Sequence, residues 1–97
     1  MFHFNHFNFN VLNLEKSLQF YQEALGLHEV RRKEAEDGSF ILVYLGDSNG
    51  DFTLELTWLR DRVEKYDLGD EEFHLAFVTD QYEEAYKKHK EMGVILF

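Results

Sequence analysis

The chain has 97 residues, with 10 Lys or Arg against 19 Asp or Glu and a net charge of −9. This acidic balance argues against nucleic acid, whose phosphates need a basic surface, and against docking on anionic membranes. The absence of cysteine excludes disulfides, thiolate metal sites and a cysteine nucleophile.

An apolar fraction of 44% is that of a folded chain, and the length allows one small domain. A core of that size stabilises only modestly, so dimerisation would help. No apolar run approaches the roughly 20 residues of a membrane helix. The N-terminus alternates and lacks the basic-then-apolar order of a signal peptide. A cytoplasmic protein is the resulting expectation.

Residues 2–11, FHFNHFNFNV, alternate as a strand does, with Phe7, Phe9 and Val11 on one face. His6, Asn8 and Asn10 lie on the other. Asn13 is placed to cap a helix in which Leu14, Leu18, Tyr21 and Leu25 recur at helical spacing, and Gly26 ends it. LHEVRRKEA and SFILVYLGD are strands around the turn residues Asp37 and Gly38. Asn49-Gly50 predicts a hairpin turn into the strand DFTLELTW. Residues 1–59 thus read β-α-β-β-β, and the fold class is α+β.

The charged stretch 60–72 reads as a connector. FHLAFVTD at 73–80 predicts another strand, with His74, Ala76 and Val78 on one face. Asp80 is placed to cap a second helix, QYEEAYKKHKEM, which Gly93 ends, and VILF starts a further apolar strand. The segment from His74 to Gly93 therefore repeats that from His6 to Gly26. Residues 73–97 read as the start of a second, incomplete module.

Three residues carry candidate chemistry. His6 and His74 open the two repeats on equivalent faces. Glu55 shares a strand face with Thr53 and Thr57. Imidazole nitrogen and carboxylate oxygen suit zinc, nickel, iron or manganese, and strands hold ligands rigidly. Taken singly, each histidine reads as structural and the glutamate as solvent-facing; the repeated position of the histidines brings the metal reading level with that one. His3 falls on the opposite face from His6, His28 reads as surface, and His89 packs on the second helix. The run EVRRKEAEDG reads as a solvated hairpin.

HFNFNVLNLEKSLQFYQEALGL, LELTW and YDLGDEEFHLAF resemble glyoxalase I (lactoylglutathione lyase), of the vicinal oxygen chelate superfamily, over nearly the whole chain. That resemblance implies two βαβββ modules around a divalent metal: nickel or zinc, with cobalt or manganese as further options. It implies His6, Glu55 and His74 as metal ligands, in a homodimer whose site is shared between subunits. The implied reaction converts the hemithioacetal of methylglyoxal and a small thiol to a lactoyl thioester. The metal polarises the substrate's oxygens, and a metal-bound glutamate moves the proton.

The sequence departs from the family in three places. A fourth ligand, a glutamate on the last strand of module two, is expected as far after His74 as Glu55 lies after His6. That position falls past Phe97, so activity of the 97 residues is expected to be impaired. The missing glutamate is a principal candidate for the base, which leaves Glu55 as the catalytic carboxylate here. Asn10 stands where many relatives carry an arginine that anchors a glutathione carboxylate, and Leu59 where many carry an asparagine. The alternatives are another metal enzyme of the superfamily (a thiol transferase or dioxygenase) or a non-catalytic module that dimerises to complete its sheet.

Overall fold

A computed structural model describes residues 1–96. The chain divides into two compact units, Met1–Tyr66 and Asp67–Phe97. The first contains strand β1 (His6–Val11), helix α1 (Leu14–Leu25) and strands β2 (His28–Glu34), β3 (Phe40–Gly46) and β4 (Thr53–Leu59). The second contains helix α2 (Tyr82–Met92).

The strands form one sheet in the order β1-β4-β3-β2, with β1 parallel to β4 and the other pairs antiparallel. Helix α1 lies between β1 and β2 in sequence and packs against β4. It starts at Asn13, whose side chain accepts from the Lys16 N–H at 3.1 Å. It ends at Gly26, in the left-handed conformation at φ 69°, where a Cβ would be strained. The core forms on this covered side of the sheet, from Leu14, Ala24 and Leu27 with Val43, Leu45, Leu54 and Leu56. Val43 and Leu56 face each other in register and are wholly buried. Burial also raises the pKa of the Tyr21 phenol on α1. The opposite face of the sheet carries His6, Asn8, Asn10, Tyr44, Thr53, Glu55 and Thr57.

The βαβββ order expected of residues 1–59 is present, with two local differences. The first strand is shorter than 2–11, because the ladder to β4 runs from His6 to Val11. The expected hairpin joins β3 to β4 through the loop that contains Asn49-Gly50, but that pair does not form a two-residue left-handed turn. Instead the Asp47 carboxylate accepts the Asn49 N–H at 2.9 Å, and Ser48 takes the left-handed conformation at φ 74°. The strand expected over 73–80 has no ladder: FHLAFVTD is mostly exposed and pairs with no strand among the described residues. Alternation makes a segment fit to be a strand, but only a neighbouring backbone makes it one. Residues 94–96 of the apolar VILF segment likewise form no strand, and Phe97 lies outside the described residues.

Helix α2 forms as expected and ends at Gly93, φ 73°. Its N-cap is Gln81 rather than Asp80, with no side-chain capping bond. The Thr79 hydroxyl takes the Gln81 N–H at 3.1 Å, which turns the chain one residue later than Asp80 would. No helix among the described residues is long and apolar enough to cross a membrane.

A histidine–glutamate pair on the open face of the sheet

Parallel pairing of β1 with β4 sets His6 opposite Thr53 and Asn8 opposite Glu55. His6 and Glu55 are therefore diagonal neighbours on one face, within reach of long side chains. His6 Nε2 stands 3.2 Å from Glu55 Oε1. The carboxylate is nearly buried, its side chain 11% exposed, whereas the imidazole side chain is 39% exposed. A buried carboxylate needs compensation, and the surroundings supply it. Thr57 Oγ1 lies 3.2 Å from Glu55 Oε2 and 2.6 Å from Asn8 Oδ1, so its single proton serves two acceptors. Asn8 donates to Asn10 Oδ1 at 2.8 Å, and Asn10 donates to the Tyr66 hydroxyl at 3.4 Å. A polar row thus runs from Tyr66 to Glu55.

The other imidazole nitrogen fixes what His6 presents to Glu55. Nδ1 lies 2.6 Å from Asn5 Oδ1, an oxygen that only accepts, so Nδ1 carries the proton. A neutral His6 then turns the lone pair of Nε2 toward an anionic oxygen. Two lone pairs at that separation repel unless a cation lies between them: a proton on Nε2 or a metal ion. Two ligand atoms each about 2.0–2.2 Å from one ion lie roughly 2.8–3.6 Å apart in octahedral or tetrahedral geometry. The observed spacing falls in that interval, and the Asn5 contact is the outer support that metal-binding histidines use. The residues present therefore fit a divalent metal. His6 and Glu55 make a pair only: among the described residues, no group of three or more His, Cys, Asp or Glu is placed to hold a metal ion. His74 is exposed and lies in the second unit, in the segment that forms no strand.

Three participants escaped the reading of the sequence. Asn5 orients the imidazole, Thr57 holds the carboxylate, and Tyr44 sets its ring edge-on to His6 at 5.7 Å between centroids. Tyr44 faces Glu55 across the β3–β4 ladder, so the alternation of both strands already put them on one face.

Residues 3–95 match the family profile of the glyoxalase/bleomycin resistance protein/dioxygenase superfamily. The lactoylglutathione lyase of Neisseria meningitidis is 42% identical over 90 residues, covering 91% of this chain and 64% of that protein. The probable lactoylglutathione lyase of Synechocystis is 34% identical, covering 91% of this chain and 68% of that one. The chain thus spans about two thirds of the length of the curated relatives it matches. Among solved structures, the trypanothione-dependent glyoxalase I of Leishmania major superposes with a TM-score of 0.83 at 24% identity, over 96% of this chain and 68% of that one. Glyoxalase I of Zea mays matches at TM-score 0.54 and 33% identity, over 61% of this chain and 22% of that one.

Proposed function

The chain belongs to the glyoxalase/bleomycin resistance protein/dioxygenase superfamily, and from that premise we propose that it is a glyoxalase I-like isomerase. Its substrate is a methylglyoxal–thiol hemithioacetal and its product a lactoyl thioester. The observation that carries this reading is the His6–Glu55 pair, 3.2 Å apart on the open face. A carboxylate on this particular strand also separates the reading from a dioxygenase, whose relatives generally place theirs on the last strand of the second module.

His6 Nε2 and Glu55 Oε1 would hold a divalent metal, with His74 of the partner subunit as third ligand in a homodimer. Nickel or zinc is the ion of choice, with cobalt or manganese also suited. When bound, the ion supplies positive charge beside the substrate's two oxygens. Asn5 holds the imidazole so that Nε2 faces inward, and Thr57 leaves Oε2 within reach of a proton. Glu55 takes the proton from the carbon that bears sulfur and returns it to the adjacent carbon, while the hydroxyl proton passes from the first oxygen to the second, so that hydroxyl and carbonyl exchange places with no net loss of atoms. For the 97 residues taken alone, we propose weaker turnover than in a protein with a second carboxylate ligand.

Turnover is tested by following thioester formation from methylglyoxal and glutathione, with nickel or zinc added. Measurable activity, lost at least about a hundredfold in Glu55→Gln, is expected. Absence of turnover with any divalent ion would reject the activity. Oxygen consumption with ferrous iron would mark a dioxygenase instead.

A further inference from the structure

Strand β2 is charged and exposed along its length, yet its two arginines are used differently. Arg32 is committed to Glu29: Nη2 lies 2.8 Å from Glu29 Oε1, and this bond raises the guanidinium's pKa. Arg31 makes no hydrogen bond or ion pair among the described residues. Its guanidinium lies over the Tyr44 ring, 4.0 Å from the centroid. Five N–H donors are thereby held in a fixed plane with nothing to receive them.

A bulge brings Arg31 to this place. The β2–β3 register sets Glu29 opposite Leu45 but Arg31 opposite Tyr44, so Val30 is the extra residue. Without it, Arg31 would face Val43, on the side covered by α1. Bulges re-aim side chains in this way, and they collect near active sites. Gly46 gives Val30 room in the bulge: a Cβ there would come within 3.1 Å of Val30 Cγ1.

The re-aimed arginine borders a groove of about 410 Å³ lined by Asn5, Val30, Arg31, Tyr44, Asp51 and Thr53. Two of these, Asn5 and Tyr44, also touch His6. The groove thus runs from the histidine–glutamate pair to one unpaired cation, with one carboxylate, Asp51, on its wall. We propose that it binds the zwitterionic α-amino-acid end of the thiol part of the substrate, with the carboxylate on Arg31 and the ammonium at Asp51.

This assignment rests on the function proposed above and names the part of the substrate remote from the chemistry. Planar guanidinium matches carboxylate in a two-point bond, and stacking on Tyr44 means little order is lost in forming it. The steps from imidazole to Tyr44 to guanidinium are 5.7 and 4.0 Å. Asn10, where relatives carry an anchoring arginine, lies elsewhere, bonded within the polar row to Asn8 and Tyr66. The cationic anchor is thereby moved from β1 to β2.

The test measures binding rather than turnover, so it stands whether or not the isomerase assay succeeds. The probes are S-methylglutathione and two analogues with the γ-glutamyl group replaced, 4-aminobutyryl lacking the carboxylate and glutaryl lacking the ammonium. Affinities are read by calorimetry or NMR for the wild type, Arg31→Gln and Asp51→Asn. The wild type is expected to bind S-methylglutathione about tenfold or more tightly than either analogue. Arg31→Gln should erase the preference over the 4-aminobutyryl analogue alone, and Asp51→Asn the preference over the glutaryl analogue alone. Equal wild-type affinity for all three probes, no binding, or an Arg31→Gln variant that keeps the carboxylate preference would overturn the proposal. Turnover with no such preference would overturn it while leaving the isomerase reading intact. Discriminating binding without turnover would do the reverse.

Discussion

The segments from His6 to Gly26 and from His74 to Gly93 share one sequence pattern and reach different structures. Each opens with a histidine in an alternating run, continues into an amphipathic helix and ends at a left-handed glycine. In the first, the alternating run is a strand in ladder with β4, and the helix buries Leu14 and Ala24. In the second, the run has no ladder and the helix has no buried residue. Helices satisfy their own backbone and form in both places. A strand satisfies its backbone only through a neighbour, so the same pattern fails where none is supplied.

Amide exchange should break or sharpen this comparison most. Amides bonded in β3 and β4 are expected to exchange only through large openings, and those of residues 73–80 at close to unstructured rates. Comparable protection in 73–80 would mean that the segment finds a strand neighbour in solution, such as a second copy. The helix caps give a smaller contrast. Asn13→Ala removes a side-chain bond to the Lys16 N–H and is expected to cost about 1 kcal/mol by urea denaturation. Gln81→Ala, where no such bond exists, should change nothing measurable.

The smallest effect concerns acid. Hydrogen bonds from Ser39 hold the Asp37 carboxyl below its ordinary pKa. The resulting stability is present above the unfolded value and is lost as pH falls through the folded one. Asp37→Asn should therefore flatten the fall in urea midpoint below about pH 4. An unchanged slope would show that this exposed turn contributes nothing.

The strands of the first unit were legible because one face of each is apolar. Parity alone put His6, Glu55, Thr53 and Thr57 on one side, and the parallel β1–β4 ladder then brought the first two together. Strand β2 offered no such guide. Charged at most positions and exposed throughout, it hides the bulge at Val30, and Arg31 reads as a solvated residue until the register is known. Asn49-Gly50 did mark the β3–β4 hairpin, but the Asp47 carboxylate and left-handed Ser48 set the shape of its loop. Asn5 and Thr57 were invisible as participants because their roles depend on which hydrogen bonds the ladder permits.

The central claim is that His6 and Glu55 form part of a divalent metal site. Its most direct test is metal content after dialysis against nickel or zinc at micromolar concentration, for the wild type and for Glu55→Gln and His74→Ala. The account predicts close to one bound ion per chain in the wild type and loss of most of it in both variants. A wild type that leaves dialysis without metal, or variants that retain it fully, would contradict the claim.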